Sequence, residues 1–542
     1  MPHLIEVSTL GDLLLRAAST QPDRDALVLP DERISYGELA QRALLVARGL
    51  SALGIPPRSN IGILIPNSIE FAEALFGIAL HGSTAVPLNA RHKETELGFI
   101  IHNAGLVAVL TSFDARDPVP FPDLLEAALP SMKESLVSEG LYLPEAPELQ
   151  HMVLLRGEAR PGFVDRASFN RGASAIHEEV VIEARSRVRV RDAALIIYTS
   201  GTTAHPKGCV LSHEAAVRGP LERARYRLSS GGRDVTWGAG PLFHIGTLAP
   251  FVGSVGVAGT YLTDHYFEPG RALALMAEEE VTVAFPWFSA IVQKLIEHPD
   301  FDPRKLTSLQ HLLLIAPRAQ VEHIIHLLPQ TEIIQGCGMT ETAGVFALSD
   351  PDENSELRST TQGKASPGVE VRIVDPNSGL ECGAGQVGEI WVRGYNVMDG
   401  YWNDPEKTAT TLGSDGWLKT GDLYIQLQNG SLVFQGRLKD MLKVGGENVA
   451  AIEVEAFLCS HPEVKLAEVV GCPDPRLDEV PVAFVELRAG SLIEPDMLIA
   501  YCRGRIASYK VPRAVHIVTE GTWPMSATKV DKNALRRRLT DL

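Results

Sequence analysis

The chain has little cysteine, and its cysteines form no paired motif. Six cysteines occur in 542 residues, with no CxxC pair and no histidine at zinc-ligand spacing. Disulfide-rich secreted domains and structural zinc sites need such patterns, so neither is expected. Scattered cysteines are typical of a reducing compartment, and we predict a cytoplasmic protein.

An excess of positive charge is also absent. The chain has 50 Lys and Arg against 67 Asp and Glu, which leaves a formal net charge of -17 at pH 7. Proteins that bind nucleic acid present a basic surface to the phosphates. We therefore expect no nucleic-acid partner.

The sequence lacks a long apolar run of the kind that spans a membrane. Residues 238–263 carry no charge, but Pro241, His244 and Pro250 interrupt them, together with several glycines. A buried helix with flanking strands fits this composition better than a membrane span. The N-terminal residues have no cationic region before their apolar stretch, which predicts a first helix and not a signal peptide.

Hydrophobic residues make up 45% of the chain and charged residues 22%. This composition, with the length of the chain, is that of a globular protein with more than one domain. Helical and strand patterns alternate near the N-terminus. Ser35 and Glu38 predict a capping box, residues 61–65 a buried strand, Asn67 the start of the next helix, and residues 85–88 another strand. This alternation predicts a parallel sheet with helices on its faces.

The pattern changes along the rest of the chain. Residues 113–190 are rich in turn formers and predict a loop-rich connector, and residues 193–199 predict a strand. Short strand patterns at 369–375, 388–394 and 431–437 predict a small antiparallel β module. We predict an α/β protein with a large N-terminal domain of doubly wound sheets, a small β-barrel-like module and a small α+β C-terminal domain.

One loop offers hydroxyls, glycines and a lysine together. The segment 198–208, YTSGTTAHPKG, follows an apolar strand. Its backbone N–H groups, its hydroxyls and Lys207 could bind an anion. It is not a Walker A loop, because Lys207 is followed by Gly208 and Cys209. From these residues alone, a phosphate loop and an ordinary turn are equally open.

Five further segments decide between these interpretations. Together with the loop, the chain resembles the adenylate-forming superfamily of acyl-CoA synthetases, peptide-synthetase adenylation domains and luciferases. The similarity extends from about residue 9 to near residue 540, and the segments occur in the order of the family. They are PLFHIG (241–246), QGCGMTE (335–341), TGD (420–422), GRLKD (436–440) and KVGGENV (443–449).

The resemblance implies a two-step reaction. A carboxylate attacks the α-phosphate of ATP and releases pyrophosphate, and a thiol then takes the acyl group from the acyl-AMP. The first step brings two anions together, so it needs cations and hydrogen-bond donors. The implied nucleotide-binding residues are Thr199, Ser200, Gly201, Thr202, Thr203, Lys207, Ala316, Pro317, Cys337, Gly338, Asp422 and Arg437.

Two residues of the QGCGMTE segment would act at the reacting phosphate. Thr340 would donate to the α-phosphate, and Glu341 would bind Mg²⁺, a cation that prefers oxygen ligands. Asp422 would accept hydrogen bonds from the ribose hydroxyls, with Arg437 beside it. Outside this context, Glu341 would be interpreted as an acidic residue in the first turn of a helix.

The C-terminal part would supply groups for both steps. Lys529 matches the lysine that bridges the carboxylate and the α-phosphate, and Lys439 matches the hinge of a mobile domain. The predicted domains are therefore residues 1–436, which bind ATP and acid, and residues 437–542. Within the KVGGENV segment, Lys443, Gly445 and Gly446 would bind coenzyme A.

The acid itself is not specified by the sequence. His244 would act near its carboxylate, and Phe243, Ile245 and Trp287 would form the pocket, with Phe288 a further candidate. Such walls suit an apolar chain or ring and place the protein in fatty acid metabolism. Arg218 and Arg318 leave open a second carboxylate on the substrate.

Four positions depart from the family pattern. Ala204 and Thr528 stand where glycines are usual, and Cys337 replaces the aromatic residue that stacks on adenine. Ile315 interrupts a stretch that usually has two glycines. Together they predict an unusual acid.

Other interpretations stay open beside a CoA ligase. The acceptor could be a carrier-protein thiol in place of CoA, or the chain could be a non-catalytic nucleotide-binding homologue. Oligomeric state is not indicated, and a homodimer is one option.

Overall fold

A computed structural model describes most of the chain. The described residues are 6–114, 117, 119–133, 143–199, 206–444, 447–526 and 529–540. Across these ranges, no helix combines the length and the hydropathy that a membrane span requires.

Strands occur along almost the whole chain, from Asp25 to Val530. In chain order they are β1 (Asp25–Val28), β2 (Arg33–Ser35), β3 (Asn60–Leu64), β4 (Thr84–Pro87), β5 (Leu106–Ser112), β6 (His151–Arg156), β7 (Val164–Asp165), β8 (Ala193–Thr199), β9 (Lys207–Ser212), β10 (Val235–Gly238), β11 (Thr260–Leu262), β12 (Val283–Phe288), β13 (His311–Ile315), β14 (Glu332–Ile334), β15 (Gly336–Met339), β16 (Gly344–Leu348), β17 (Lys364–Ala365), β18 (Val369–Val374), β19 (Val387–Gly394), β20 (Gly400–Tyr401), β21 (Leu418–Gln426), β22 (Leu432–Arg437), β23 (Met441–Val444), β24 (Glu447–Ala450), β25 (Val464–Asp474), β26 (Asp478–Leu487), β27 (Ala514–Ile517), β28 (Met525–Ser526) and β29 (Lys529–Val530).

The helices alternate with these strands. They are α1 (Leu10–Thr20), α2 (Tyr36–Ala52), α3 (Ile69–His81), α4 (Glu94–Asn103), α5 (Phe121–Ala128), α6 (Arg166–Ala175), α7 (Glu178–Ser186), α8 (His213–Glu222), α9 (Ile245–Gly256), α10 (Pro269–Glu278), α11 (Ser289–Ile296), α12 (Arg318–Leu327), α13 (Ser355–Thr360), α14 (Pro405–Thr411), α15 (Ala451–Cys459), α16 (Pro495–Cys502) and α17 (Lys532–Thr540). A π-helical turn, Arg223–Arg227, continues α8.

The chain forms two compact units. The larger contains Met1–Glu370 and Arg393–Leu418, and the smaller contains Val371–Val392 and Lys419–Leu542. The predicted boundary between residues 436 and 437 separates two functions, whereas these two units are separated by compactness. The functional boundary therefore stays a prediction.

Two large sheets organise the larger unit. One has the order β14-β13-β12-β10-β11-β1-β2, and all its pairs are parallel except β1 with β2. The other has the order β20-β9-β8-β4-β3-β5-β6-β7, with parallel pairs from β8 to β7. The predicted α/β class is confirmed.

Helices fill the space between these sheets. Helix α3 contacts β3 and β4, helix α9 contacts β10, β11 and β12, and α1 contacts both helices. Every residue of α3 is buried, including Glu73, whose carboxylate pairs with Arg166. The predicted buried helix within 238–263 is α9, which β10 and β11 flank.

The start of α3 differs from the prediction. Ser68, and not Asn67, caps the helix and accepts a hydrogen bond from the Phe71 N–H. The Asn67 amide instead donates to Gly240 O at 3.0 Å, and its carbonyl accepts from Leu242 N at 2.7 Å. Its side chain therefore fixes the segment that leads into α9.

The predicted loop-rich connector at 113–190 is wrong for most of its described part. Strands β6 and β7 extend the eight-stranded sheet, helices α5 and α6 pack on it, and α7 packs on α2 and α3. The elements of this region are short, so the turns between them make up a large share of its residues. Turn formers are therefore common there although most of the region is helix or strand.

The smaller unit carries two further sheets. One has four strands in the order β18-β19-β21-β22 and includes all three predicted segments of the β module. The other has the order β24-β23-β26-β25, with β27 beside β26. Helix α15 packs on β25. Apolar side chains of both, among them Leu458 of α15, form a separate core with Val449 and Val485.

Candidate functional site

Neighbouring strands of the seven-stranded sheet end at one edge. The strands β14, β13, β12 and β10 are adjacent and parallel, so their carboxyl ends lie side by side. The chain leaves them at Gln335, Ala316, Phe288 and Ala239. The QGCGMTE and PLFHIG segments therefore start from the same edge, where open α/β sheets bind ligands.

The predicted phosphate loop joins two antiparallel strands. Strand β8 pairs with β9, and Thr199 lies opposite Lys207. Of the proposed phosphate-binding residues, Thr199 and Lys207 are thus brought together. The intervening Ser200, Gly201, Thr202 and Thr203, and Ala204 with them, lie outside the described residues.

A short helical turn presents the predicted metal ligand. After β15, Thr340–Thr342 form a 3-10 turn, and Ala343 then takes a positive φ of 48°. The Thr342 hydroxyl donates to Gly344 O at 2.7 Å, and Met398 N donates to Glu341 O at 2.9 Å. Thr340 is buried and Glu341 half-buried.

The Glu341 carboxylate has a partner that sequence reasoning missed. Tyr401 donates its hydroxyl to Glu341 Oε1 at 2.9 Å. Strand β20 places Tyr401 there, because it pairs with β9 opposite Cys209. Burial and the charge of Glu341 raise the pKa of Tyr401, so the phenol stays protonated and keeps donating.

Lys207 belongs to the same cluster. Its ammonium lies 5.8 Å from the centre of the Tyr401 ring. Burial, and then the neighbouring Lys407, lower the pKa of Lys207, whereas Asp404 and Glu341 oppose this shift. Burial beside Glu341 raises the pKa of the Cys209 thiol, which therefore stays neutral. The cluster therefore brings the Lys207 ammonium of β9 and the Glu341 carboxylate of the 3-10 turn to the same tyrosine.

The candidate adenine-binding residues differ in exposure. Gly338 and Pro317 are exposed, Ala316 is half-buried, and Cys337 is 5% exposed. A Cβ on Gly338 would lie 2.4 Å from Gly344 O, so the close approach of β15 to β16 requires glycine there. Ala316 N donates to Gln335 Oε1 at 3.3 Å, which joins two of the segments.

His244 caps α9. Its Nδ1 accepts a hydrogen bond from Gly246 N at 3.1 Å, and its ring is half-buried. Trp287 donates Nε1–H to Gly246 O at 2.5 Å and has a positive φ of 58°, which is rare for a bulky residue. The strained backbone at Trp287 turns its indole towards the start of α9.

A cavity of about 40 Å³ lies within the larger unit. Its walls include Ile245 and Trp287 from the predicted acid pocket, together with Phe285 and Val345. Phe243, Phe288 and His244 are not among the lining residues. The walls are mostly apolar, but this volume takes only a few non-hydrogen atoms, so the cavity forms at most a part of an acid pocket.

The two arginines considered for a second carboxylate lie elsewhere. Arg318 is exposed at the start of α12 and bonds to Glu322 Oε1 at 2.7 Å. Arg218 pairs with Glu214 Oε1 at 3.0 Å and stacks on Tyr395. Neither lines the cavity.

In the smaller unit, the candidate ribose-binding residues are adjacent. Strands β21 and β22 place Asp422 opposite Arg437, whose Nε lies 3.3 Å from Asp422 Oδ1. Gly421 has a φ of 73°, and its N–H donates to Glu389 Oε1 at 2.8 Å. The TGD segment therefore lies within β21 and is held at Gly421 by Glu389 of β19, a residue that was not predicted.

The remaining candidates also belong to the smaller unit. Lys439 lies in a 3-10 turn, Leu438–Asp440, where partial desolvation of its ammonium and the charge of Arg437 lower its pKa. Lys443 lies in β23, opposite Asn448 of β24. Gly445 and Gly446 lie outside the described residues, and so does Thr528. Lys529 begins β29, opposite Ser526.

Tyr401 and Glu389 are the site residues that the sequence did not reveal. Each acts on a segment distant in the chain, so no local spacing marks it.

Family comparison agrees with this geometry. Residues 14–402 match the family described as AMP-binding enzyme, and residues 453–529 match the AMP-binding enzyme C-terminal domain. The first match alone spans more than half of the chain.

Individual relatives extend over the whole chain. A putative acyl-CoA synthetase, YngI of Bacillus subtilis, is 30% identical over 549 residues, which cover 100% of this chain and 99% of the relative. Feruloyl-CoA synthase of Amycolatopsis sp is 32% identical, with 98% of this chain and 99% of the relative covered. The structure of ATP-bound MatB from Rhodopseudomonas palustris is 25% identical, with a TM-score of 0.83, and covers 98% of this chain and 99% of that one. The chain therefore belongs to the AMP-binding enzyme family, and the prediction of an adenylate-forming acyl-CoA synthetase is confirmed.

Proposed function

We propose that the chain converts a carboxylic acid into its acyl-AMP with ATP, and then into its CoA thioester, through the residues named above. The cluster of Lys207, Glu341 and Tyr401 carries this proposal, because Tyr401 of β20 contacts both the cation of β9 and the carboxylate of the 3-10 turn after β15. The named relatives, an acyl-CoA synthetase and a feruloyl-CoA synthase, support the same two steps.

In the first step, a carboxylate oxygen of the acid attacks the α-phosphorus of ATP, and the bond to the β-phosphate oxygen breaks. Lys207 and the Thr199 end of the loop would neutralise the β- and γ-phosphates, and Thr340 would donate to the α-phosphate. Lys529 would bridge the two reacting groups as a flexible point charge. Such preorganised charges lower the barrier most where new charge develops.

Mg²⁺ suits the donor set at Glu341. Within the described ranges, no group of three or more histidine, cysteine, aspartate or glutamate residues forms a metal cage. Mg²⁺ in nucleotide enzymes usually has one or two carboxylate ligands and takes the others from phosphates and water. Glu341 would be that ligand, and the bound ion would screen the charge of the phosphates.

Asp422 and Arg437 would bind the ribose. A carboxylate has two acceptor oxygens for the two ribose hydroxyls, and Arg437 holds Asp422 in place from the neighbouring strand. Ala316, Pro317, Cys337 and Gly338 would lie at the adenine, where Cys337 offers less stacking area than an aromatic ring.

The acid would extend into the cavity, with its carboxylate towards His244 and the start of α9. In the second step, a thiol attacks the acyl carbon and AMP leaves. We propose CoA as this thiol, bound along Lys443, Gly445 and Gly446, after residues 437–542 turn about Lys439. A carrier-protein thiol is the second candidate, and comparison of both acceptors with the same acyl-AMP distinguishes them.

The free cysteines support a reducing, cytoplasmic location. The apolar cavity suits acids of fatty acid metabolism, and a homodimer stays a prediction.

The test is acid-dependent release of pyrophosphate from ATP. Glu341→Gln is expected to lower this rate by about 10²–10³-fold, because it removes one charged group at the reacting phosphates. Glu356→Gln, an exposed glutamate of α13, is the matched control and should keep the wild-type rate. An active Glu341→Gln enzyme, with unchanged Mg²⁺ dependence, would contradict the role of Glu341.

A further inference from the structure

Glu389 of β19 is a buried carboxylate that neutral groups alone hold. It is 8% exposed. Its Oε1 accepts from Gly421 N at 2.8 Å, and its Oε2 accepts from Trp391 Nε1 at 2.8 Å. No lysine, arginine or histidine in the described part of the chain forms an ion pair with it. Burying a carboxylate in this way costs folding free energy, and proteins accept such costs mainly at functional sites.

A carboxylate is the side chain that suits both donors. Each of its oxygens accepts, so the Gly421 N–H and the indole N–H are satisfied together. A glutamine would offer one oxygen and place its NH₂ group against the other donor. Arg372 and Lys419 lie over the Trp391 ring, at 4.6 and 5.2 Å from its centre. The indole that holds Oε2 is therefore itself held in place.

The bond to Gly421 fixes an irregular point of β21. Gly421 has a φ of 73°, which is outside the range of a regular strand and suits glycine. The preceding Thr420 donates its hydroxyl to Ile390 O at 2.7 Å and accepts from Asp422 N at 3.1 Å. Two consecutive residues of β19 thus hold the two residues of β21 that directly precede Asp422.

Asp422 is therefore supported from both neighbouring strands. In the sheet order β18-β19-β21-β22, strand β21 lies between β19 and β22. Strand β22 supplies Arg437, whose Nε lies 3.3 Å from Asp422 Oδ1. Strand β19 supplies Glu389, which holds the backbone one residue before Asp422. Two supports suit a carboxylate that has to meet two ribose hydroxyls within hydrogen-bond distance.

We propose that Glu389 is a positioning residue for Asp422 and thereby contributes to the selection of ATP over its deoxy analogues. This inference rests on the proposed function, in which Asp422 accepts from both ribose hydroxyls. Without the bond from Gly421 to Glu389, the segment 420–422 would be less ordered, and the Asp422 carboxylate would meet the hydroxyls less well. The loss would then depend on whether the nucleotide carries both hydroxyls.

The test compares ATP with 2′-deoxy-ATP and 3′-deoxy-ATP in acid-dependent pyrophosphate release. For the wild-type chain, kcat/KM should be higher for ATP by about tenfold or more, the gain expected from a hydrogen bond to a charged group. In Glu389→Gln this ratio should fall severalfold, because KM should rise most for ATP, which uses both bonds to Asp422. The same substitution in the Asp422→Asn background should cause no further loss with ATP, since residues that act through one another are not additive.

Glu486→Gln is the matched control. Glu486, on β26 of the same unit, is 5% exposed and accepts from Trp523 Nε1 at 2.5 Å, so this variant loses a buried bond of the same kind in another sheet. Its ratio of ATP to deoxy-ATP should be that of the wild type. If Glu389→Gln does not fold, as judged by its thermal midpoint, Trp391→Phe serves as the second variant. It removes the donor to Oε2 and should lower the ratio by a smaller factor.

An equal fall of kcat/KM for ATP and for both analogues in Glu389→Gln would overturn the inference, because the residue would then be structural only. So would a loss in the double variant that equals the product of the two single losses. In both cases Asp422 keeps its proposed place at the ribose. A wild-type chain that uses ATP and both analogues equally would overturn the ribose assignment together with this inference. No pyrophosphate release with any acid would overturn the proposed function as a whole.

Discussion

Among single residues, the position of Glu341 depends on a group on another strand. Tyr401 holds one carboxylate oxygen of Glu341 at 2.9 Å, and this carboxylate is the one proposed to bind Mg²⁺. Groups that orient a ligand in this way commonly change metal affinity or activity by 10–100-fold when they are removed. Tyr401 is therefore a positioning residue for Glu341, in the same cluster as Lys207.

Tyr401→Phe removes this hydroxyl and keeps the ring. We expect about a tenfold to hundredfold loss of pyrophosphate release at low Mg²⁺, with partial recovery as Mg²⁺ is raised, because the carboxylate is present but less ordered. Titration of the rate against Mg²⁺ measures this. Tyr509→Phe, at an exposed position, should behave as the wild type. A loss independent of Mg²⁺ would show that Tyr401 does not act through Glu341.

Asp422→Asn tests the ribose site. The substitution replaces one acceptor oxygen by an amide donor, and hydrogen bonds to a charged group contribute about 1.5–3 kcal/mol. KM for ATP should therefore rise by roughly tenfold or more, with a smaller change in kcat. Asp496→Asn, on the exposed first turn of α16, is the control. An unchanged KM for ATP would exclude Asp422 from nucleotide binding.

At the scale of elements, a half-buried carboxylate connects four of them. Glu332 of β14 bonds to Arg227 of the π-helical turn, to His311 of β13 and to Arg358 of α13. Burial would raise its pKa, but the hydrogen bonds from His311 and Arg227 dominate and lower it to about 2. Since the unfolded value is higher, ionised Glu332 stabilises the fold at neutral pH, and this contribution decreases as the pH falls towards 2.

Glu332→Gln should destabilise the larger unit by about 3 kcal/mol at pH 7, because the arginines lose a buried partner. The difference from the wild type should shrink between pH 5 and pH 3, where the wild type loses the same interaction. Urea unfolding at several pH values measures this. Glu322→Gln, which breaks the exposed pair with Arg318, should cost less than about 1 kcal/mol. A pH-independent difference would contradict the assignment.

Local patterns predicted these elements better than they predicted their contacts. Residues 193–199 form β8 with the predicted bounds, and Ser35 and Glu38 form the predicted capping box. The prediction that Asn67 starts α3 was wrong because its side chain bonds to segments almost two hundred residues away. Tyr401 could not be found for the same reason: its role depends on strand pairing, which chain spacing does not encode.

For the whole molecule, the order of the motifs indicated the protein family, which no single motif did. The phosphate loop alone was equally consistent with a turn, whereas six segments in sequence predicted the family that the comparison confirms. The nature of the acid could not follow from that order, because the cavity walls come from α8, α9, β12 and β16, which lie far apart in the chain.

The two half-reactions should separate in Lys529→Ala. Removing the ammonium takes away the charge that would bridge the carboxylate and the α-phosphate, so pyrophosphate release should fall by about 10²–10³-fold. Transfer from supplied acyl-AMP to CoA needs no such bridge and should stay within a few fold of the wild type. Arg538→Ala, in the basic end of α17, controls for lost positive charge. Equal losses in both steps would indicate a structural role for Lys529, and full adenylation activity would remove it from the mechanism.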